Sequence, residues 1–361
     1  MTPIYNFNPG PAILPREVLE EVRSELLDYR GTGLSIMEMS HRAKEYEAIN
    51  AEAEQLVKEL LEVPAGYRVL FLQGGASLQF AMAPMNFLPP DRTADYILTG
   101  VWSDKAIEEA SKIGKTHVAA STKDEKYRRV PGQDEIRLSD DPVYVHLTSN
   151  NTIFGTQWRT LPSFDGVPLV ADMSSDIMSR PVDVRPFGLI YAGVQKNMGP
   201  AGATMVLIRE EWLGKAPGSV PTILRYDTHA KNNSLYNTPA VFAVYVSSLV
   251  LRWLRDQGGL AEIGRRNEAK AAAIYDAIDA SDGFYRGHAE PGSRSLMNVT
   301  FRLPSEDLEK TFIGAATRRG FVGLAGHRSV GGVRASIYNA MGIEGCTALA
   351  EFMREFVRTN G

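Results

Sequence analysis

Cysteine is nearly absent from this 361-residue chain, whose single example, Cys346, excludes an intrachain disulfide framework and a zinc site built from several cysteines. Long apolar runs are missing as well. The longest, near residues 240–251, is too short to span a bilayer and stops at Arg252. The amino end has neither a basic region nor an apolar run, so we expect no secretory signal. These absences predict a cytoplasmic protein without a membrane partner.

Neither a long run of one charge sign nor an internal repeat occurs, and the net charge at neutral pH is -4. The slight acidic excess disfavours nucleic acid as a partner. The length suits two domains with a substantial core. We expect an extended arm over residues 1–15, which contain four prolines, and a large domain over 16–257. A smaller α/β domain should follow over 258–361, with the boundary at Gly258-Gly259.

Apolar runs of strand length alternate with helical patterns, which indicates an α/β fold. Residues 68–72 form such a run and lead through Gln73-Gly74-Gly75 into a helical pattern. Residues 95–99 form the next run, followed by a Gly100–Ser103 loop and a helix from Asp104. Because ligands bind at the carboxyl ends of strands in such sheets, residues that directly follow the runs are the site candidates.

Lys196 follows the apolar run 189–194 and precedes a Gly/Pro loop, after which a second apolar run covers 204–208. A lysine partly out of water has its charged form disfavoured, and its free amine is a competent nucleophile. Asp172 ends an earlier short apolar run. This order of strand–Asp and strand–Lys is the one used when an aspartate meets the ring nitrogen of pyridoxal phosphate and a lysine holds its aldehyde. A lysine at a strand end with its charge in solvent is the ordinary alternative.

Other candidate residues also have two interpretations each. The turn at Gly74-Gly75 presents backbone N–H groups to an anion, or is a tight turn without a ligand. Trp102, in its loop, is suited to stacking on a flat ring, or belongs to the core. The glycine-rich stretch 322–339 carries His327, Arg328 and Arg334, which make an anion cradle or lie in a solvated loop.

Taken together, these motifs resemble the phosphoserine aminotransferase family, within the class V aminotransferases of the fold type I pyridoxal-phosphate enzymes. The likeness extends over essentially the whole chain. Its most specific parts are Ser40-His41-Arg42 and Gly326-His327-Arg328, the second running on to Arg334-Ala-Ser-Ile-Tyr-Asn339. The other matching motifs are Asn6-Phe7 with Gly10-Pro11, Gln73-Gly74-Gly75, Asp172-Met-Ser-Ser175, Ser179-Arg-Pro181, Tyr191-Ala-Gly193, Gln195-Lys-Asn197 and Tyr236-Asn-Thr-Pro239.

The resemblance implies a large domain with a mainly parallel seven-stranded sheet flanked by helices, and a smaller carboxyl-terminal α/β domain. It implies one pyridoxal 5'-phosphate per subunit, joined as a Schiff base to Lys196, with Asp172 on the ring nitrogen and Trp102 stacked on the ring. The cofactor-binding residues it implies are Ala76, Ser77, Trp102, Thr152, Asp172, Gln195, Lys196, Asn237 and Thr238. Asn237 and Thr238 are expected to reach the cofactor of the other subunit in a homodimer with shared sites.

For the substrates, the resemblance implies that Arg334 binds the α-carboxylate. His41 and Arg42, with His327 and Arg328 from the partner subunit, are expected to hold the phosphate of phosphoserine or the side-chain carboxylate of glutamate. Some members of the family carry an arginine at the position of Ser77, so the phosphate pocket of this chain has one cation fewer.

The implied activity is reversible transamination between 3-phosphohydroxypyruvate and glutamate, giving phosphoserine and 2-oxoglutarate in L-serine biosynthesis. No metal is implied. Whether the related phosphohydroxythreonine step of vitamin B6 synthesis is also catalysed stays open at this point. So do another class V reaction, such as serine–glyoxylate transamination, and a non-catalytic B6-binding protein. Cysteine desulfuration is disfavoured because Cys346 falls in the predicted closing helix.

Overall fold

The computed structural model describes residues 3–361, so the first two residues of the expected arm lie outside the described part. In chain order the strands are β1 (Tyr5–Asn6), β2 (Tyr67–Leu72), β3 (Thr93–Leu98), β4 (Lys115–Ser121), β5 (Val145–Thr148), β6 (Asn150–Asn151), β7 (Thr156–Gln157), β8 (Leu169–Asp172), β9 (Phe187–Gly193), β10 (Thr204–Arg209), β11 (Arg286–Gly287), β12 (Asn298–Arg302), β13 (Phe321–Val322) and β14 (Val333–Ser336). The α-helices are α1 (Arg16–Glu25), α2 (Lys44–Leu60), α3 (Gly75–Phe87), α4 (Val101–Ala110), α5 (Tyr226–Lys231), α6 (Val241–Asp256), α7 (Gly259–Asp279), α8 (Glu306–Arg318) and α9 (Ile343–Asn360).

Seven strands form the main sheet, in the order β2-β10-β9-β8-β5-β3-β4. β10 is antiparallel to both β2 and β9, and the remaining pairs are parallel. The prediction of a mainly parallel seven-stranded sheet is therefore confirmed. Since β2 and β9 both run against β10, the carboxyl ends of β2, β3, β5, β8 and β9 lie at one edge of the sheet.

Both faces of this sheet are covered by helices, which explains why its strands are continuously apolar. Successive side chains of a strand point to opposite faces. In β10, Met205 and Leu207 join the core beneath α2 and α6, whereas Val206 and Ile208 join the core beneath α3 and α4. Burial of both faces keeps the strands rigid, so the residues at their ends have fixed positions.

The smaller unit is built on the antiparallel sheet β11-β12-β14, packed against α7 and α9. The arm joins this unit, because β1 pairs in parallel with β13 and Phe7 is buried in its core. Leu260 and Ile263, at the start of α7, still pack in the core of the large domain. From Ala271 onward the same helix packs in the small-domain core. Helix α7 therefore connects the two cores. We propose the domain boundary at Gly258-Gly259, where α7 begins.

Two local expectations need correction. Trp102 lies in the first turn of α4 and not in a loop, because Ser103 caps the helix earlier than predicted. The Ser103 Oγ accepts the N–H groups of Thr99 and Gly100 at 2.9 and 3.1 Å. Arg334 lies on the buried strand β14 and not in an open glycine-rich loop. Pairing of β14 with the central strand β12 of the small sheet explains its burial.

No helix among residues 3–361 combines the length and the apolar character needed to cross a membrane.

Candidate active site

The candidate residues assemble at the edge of the main sheet where the parallel strands end. Asp172 is the last residue of β8, and Lys196 follows β9 by three residues. Thr152 lies in the turn between β6 and β7, just after β5, and Trp102 lies just after β3. Parallel packing thus brings together residues that are up to 94 positions apart, counting from Trp102 to Lys196.

Lys196 is half-buried, and its Nζ donates a hydrogen bond to Thr152 Oγ1 at 2.8 Å. Burial lowers its pKa to about 8, a shift that the charge of Arg334 assists and the charge of Asp172 opposes. Near neutral pH a useful fraction of the side chain is therefore the free amine, which a nucleophile or a general base requires. The arm crosses this residue, since a Cβ added at Gly10 would lie 3.3 Å from Lys196 Cγ.

Asp172 is only 5% exposed, and burial raises the pKa of its carboxyl. Hydrogen bonds from Ser174 and the charge of Lys196 act in the opposite direction. Both the N–H and the hydroxyl of Ser174 donate to Asp172 Oδ1, at 2.9 and 2.6 Å. The other oxygen, Oδ2, makes no hydrogen bond to any described residue and is free for a ligand.

A glycine turn opens α3 at the end of β2. Gly74 and Gly75 have φ values of 92° and 64°, a conformation that glycine adopts without strain. No side chain among residues 3–361 caps this helix end. Ala76 and Ser77 therefore lie in a first turn whose N–H groups face outward, where an anion is stabilised by the helix dipole.

Trp102 is half-buried between two apolar clusters. Its indole Nε1 is buried and has no hydrogen-bond partner among the described residues. Lys105, one turn further along α4, places its ammonium 5.0 Å from the centre of the indole ring. Apolar packing and this cation–π contact, and not a hydrogen bond, therefore hold the indole ring in place.

Arg334 is 6% exposed, and its Nη1 donates to the carbonyl oxygen of Thr152 at 3.3 Å. Its Nε is buried without a partner. Burial lowers the pKa of this guanidinium, and no described carboxylate pairs with it. Thr152 therefore contacts Lys196 through its hydroxyl and Arg334 through its carbonyl, so it places a nucleophilic amine and an unpaired guanidinium on opposite sides of one residue.

Burial lowers the pKa of the His327 imidazole, and the nearby charges of Arg334 and Arg328 of the same chain add to this effect. Its Nδ1 lies 2.7 Å from the Ser329 hydroxyl. Arg328 is exposed and makes no ion pair among the described residues. Within one chain the structure therefore brings His327 near the site, and leaves Arg328 at its solvent side.

The remaining predicted residues make no hydrogen bond to the Lys196 amine within the described part of one chain. His41 and Arg42 directly precede α2, and the buried Nε2 of His41 has no described partner. Asn237 donates to the Gln73 side chain at 3.0 Å and so lies near the glycine turn, with Thr238 exposed beside it. The Gln195 side chain turns back toward Gly193. The backbone carbonyl of Gln195 accepts a hydrogen bond from the N–H of Ala12 at 3.0 Å.

These residues fit pyridoxal phosphate. The amine of Lys196, the free Oδ2 of Asp172, the indole of Trp102 and the helix end at Gly75–Ser77 match the four parts of that molecule. They are the aldehyde, the ring nitrogen, the ring face and the phosphate. The free Oδ2 of the buried Asp172 and the uncapped helix end at Gly75–Ser77 are the observations that favour a bound group, because such polar groups are ordinarily paired.

Comparisons with known proteins agree with this geometry. Residues 4–349 match the family described as aminotransferase class-V. Phosphoserine aminotransferase of Herpetosiphon aurantiacus is 62% identical over 358 residues, covering 99% of each chain. The solved structure of phosphoserine aminotransferase from Bacillus circulans subsp. alkalophilus has a TM-score of 0.97 at 56% identity and covers 99% of each chain. The pyridoxal-phosphate-bound enzyme of Trichomonas vaginalis has a TM-score of 0.93 at 36% identity, covering 97% of this chain and 99% of that one.

The chain therefore belongs to the class V aminotransferases, which makes it a transferase that depends on pyridoxal phosphate. Within that class, its identities of 62% and 59% to curated relatives place it in the phosphoserine aminotransferase family.

Two polar residues at the site were not found by sequence reasoning. Ser174 was quoted only as part of a motif, yet it donates twice to Asp172. Lys105 was not singled out in the sequence, although it faces Trp102 and also contributes to the lowered pKa of His327. The available signals were the position of Lys105, three residues after Trp102 on a predicted helix, and that of Ser174, two residues after Asp172. Lysine and serine are common at such places.

Proposed function

We propose that the protein catalyses transamination between phosphoserine and 2-oxoglutarate, forming 3-phosphohydroxypyruvate and glutamate, and acts in the reverse direction in L-serine biosynthesis. One observation carries the substrate class. Arg334 is a buried guanidinium without a described carboxylate partner, next to the amine of Lys196 by way of Thr152. A substrate α-carboxylate supplies the missing partner and lies within reach of the amine.

When bound, pyridoxal phosphate supplies an aldehyde that exchanges amino groups and a ring that withdraws electrons. Lys196 has a pKa of about 8 and accepts the α-proton of the amino acid. Asp172 stabilises a proton on the ring nitrogen through its free Oδ2. Trp102 would contact the face of the ring, and Arg334 would fix the Cα of the substrate by binding its carboxylate.

The side-chain phosphate requires a second group of cations, which we assign to His41, Arg42, His327 and Arg328. Phosphate brings close to two negative charges at neutral pH, whereas plain serine brings none. Arg42 and Arg328 are exposed and unpaired among the described residues, so both are available to an incoming dianion. Family membership supports this assignment, because the relatives with these motifs are named phosphoserine aminotransferases.

A screen of amino donors tests the proposal. Phosphoserine and glutamate are expected to change the visible absorbance of the loaded enzyme rapidly, whereas serine and alanine react slowly. Arg42→Leu should lower kcat/KM for phosphoserine by about 30-fold or more, because loss of one partner of a desolvated charge pair costs about 2–5 kcal/mol. The same variant should leave the weak alanine activity unchanged. Equal losses on both amino acids would show that Arg42 does not bind phosphate. Phosphohydroxythreonine belongs in the screen, since it carries the same phosphate.

We further propose a homodimer with shared sites, in which Asn237, Thr238, His327 and Arg328 act across the interface. Exposed apolar side chains support an interface beside the predicted site residues. Met37 is 63% exposed shortly before His41. Tyr236 is 44% exposed directly before Asn237. Apolar patches next to functional residues are typical of protein contacts.

Mixing two inactive variants tests the shared site. Hybrids of Lys196→Ala with Arg328→Ala contain one intact site if Arg328 acts across the interface, and random exchange should then restore about one quarter of the wild-type activity. Lys196→Ala mixed with Arg334→Ala is the matched control. Arg334 contacts Thr152 of its own chain at 3.3 Å, so this mixture should stay inactive. Absence of recovery in the first mixture, despite subunit exchange, would place Arg328 in the same chain as Lys196.

A cytoplasmic location, expected from the single cysteine, stays a prediction that cell fractionation would test.

A further inference from the structure

Ser174 occupies a central position between the two strands that carry Asp172 and Lys196. Its hydroxyl donates to Asp172 Oδ1 at 2.6 Å, and its backbone N–H donates to the same oxygen at 2.9 Å. The hydroxyl also accepts the N–H of Gly193 at 3.0 Å, at the end of β9. Gly193 lies three residues before Lys196. One buried hydroxyl thus connects the aspartate to the strand of the lysine.

This arrangement uses one carboxylate oxygen and leaves the other free. Two donors converge on Oδ1, so the carboxyl group is held in one rotation and Oδ2 is the oxygen available to a ring nitrogen. Hydrogen bonds to a carboxylate stabilise its charged form. At this position they act against burial, which favours the neutral acid. An aspartate that became neutral here would no longer stabilise a positive ring nitrogen.

We propose that Ser174 is a positioning residue that holds Asp172 ionised and turns its Oδ2 toward the cofactor nitrogen. The inference rests on the role given to Asp172 above, and it assigns to Ser174 a function of its own. Ser174 is 6% exposed and makes no other side-chain hydrogen bond among the described residues, so its hydroxyl serves Asp172 and Gly193 alone.

The other charged and titratable groups around Asp172 do not replace this function. The charge of Lys196 favours ionisation of Asp172. Because the pKa of Lys196 is about 8, its amine is mostly protonated at lower pH. Asp176 is a second buried carboxyl, but it accepts from Ser149 and from Gln157 at 3.0 Å and not from Ser174.

Two further titratable groups are Tyr191 on β9, which neighbours Asp172, and His146 on β5, which contacts Tyr191. Tyr191 pairs with Asp172 in the sheet register, and burial raises its pKa well above the ordinary value. His146 contacts the Tyr191 hydroxyl at 2.7 Å, and burial lowers its pKa to about 3. Both are therefore neutral between about pH 4 and pH 7, where an ordinary aspartate loses its proton.

Three variants separate the proposed role from general packing. Ser174→Ala removes the hydroxyl, and Ser174→Thr keeps it. Ser175→Ala is the matched control in the next position. The Ser175 hydroxyl is buried too, but it bonds to the backbone carbonyl and the side-chain amide of Asn150, both at 2.8 Å, and does not touch Asp172.

The first measurement is the affinity for pyridoxal phosphate, by titration of the apoprotein followed by absorbance. Ser174→Ala should weaken binding by about tenfold or more, the effect of about one pKa unit of lost charge stabilisation. Ser174→Thr should bind more tightly than Ser174→Ala, and Ser175→Ala should bind as the wild type does. Wild-type affinity in Ser174→Ala, or an equal loss in Ser175→Ala, would overturn the proposal.

The second measurement needs no cofactor: urea unfolding of the apoprotein at about pH 4 and about pH 7. The pKa of Asp172 is raised by folding, so its ionisation opposes folding increasingly as pH rises through this window. Without the Ser174 hydroxyl this opposition grows. The urea midpoint of Ser174→Ala should therefore fall further below wild type at pH 7 than at pH 4, whereas the deficit of Ser175→Ala should not change. A deficit of Ser174→Ala that is independent of pH would refute the role. A protein that shows this pH dependence but does not use phosphoserine would refute only the proposed substrate.

Discussion

Replacing Lys196 with alanine is expected to lower kcat by about 10²–10⁴-fold through loss of proton transfer alone, and by more if the nucleophilic role is also lost. The physical reason is its lowered pKa of about 8 at a position next to Thr152 and within the field of Asp172. Borohydride reduction of the loaded wild-type enzyme, followed by peptide mapping, should place the pyridoxyl group on Lys196. Steady-state rates with phosphoserine and 2-oxoglutarate give the loss in kcat.

The chain contains a matched control for this experiment. Lys270 is buried in α7, and burial lowers its pKa to about 8, the same value as for Lys196. Its ammonium, however, donates to the backbone carbonyls of Ile337 and Tyr338 at 3.0 and 2.8 Å, with no aspartate beside it. Lys270 should therefore remain unlabelled. A label on Lys270 would show that a lowered pKa alone selects the lysine, and would contradict the assignment of the site by geometry.

Replacing Arg334 with leucine should lower kcat/KM for every amino acid substrate by a similar factor. Arg334 is the buried cation expected to bind the α-carboxylate, a group that all these substrates share. Leaving that carboxylate without its partner costs about 2–5 kcal/mol, which corresponds to about 30-fold to several thousand-fold. The rates with phosphoserine, glutamate and alanine, measured under identical conditions, test the prediction.

Arg42→Leu is the contrasting variant, because its expected loss is confined to phosphoserine. If Arg334→Leu instead left the activity on alanine unchanged, the roles proposed for Arg334 in binding the α-carboxylate and for Arg42 in binding the phosphate would have to be exchanged. Thermal unfolding of Arg334→Leu provides the control for folding. The variant removes a buried charge without a carboxylate partner, so it should not unfold at a lower temperature than the wild type.

The division between two cation groups has a consequence for substrate selection. Arg334 lies deep beside Thr152, whereas Arg42 and Arg328 are exposed at solvent. Before substrate binds, salt is therefore expected to screen the two exposed arginines more than the buried Arg334. Ser77 is also exposed and adds a hydroxyl but no charge at the helix end. Lys105 places a cation 5.0 Å from the centre of the Trp102 indole.

Much of the fold was readable from local patterns. The apolar runs at β2, β3, β8, β9 and β10 were found because both faces of the sheet are buried, and Gly74 marked the start of α3 by its left-handed turn. Asp172 and Lys196 were readable for the same reason. Asp172 ends a buried strand and Lys196 comes three residues after one, so the chain itself dictates their position at the sheet edge.

The start of α4 and the burial of Arg334 were not readable. Both depend on partners distant in sequence or on a hydroxyl that serves as a cap. The Ser103 hydroxyl caps the start of α4, so the helix begins before Trp102. Strand β14 forms only by pairing with β12. A short polar stretch rich in glycine has the same local pattern whether it lies in solvent or beneath a second strand.

By itself, then, the sequence predicted the alternation of strands and helices in the large domain and the sheet edge at which the candidate site lies. It also indicated the lysine and aspartate that are proposed to carry the chemistry. Periodicity of burial and turn chemistry are local properties, so these features are written in neighbouring residues. Only the tertiary structure decided that Thr152 stands between Lys196 and Arg334, and that Ser174 links Asp172 to Gly193. Those contacts join residues from separate strands, and their distances are set by how the strands pack.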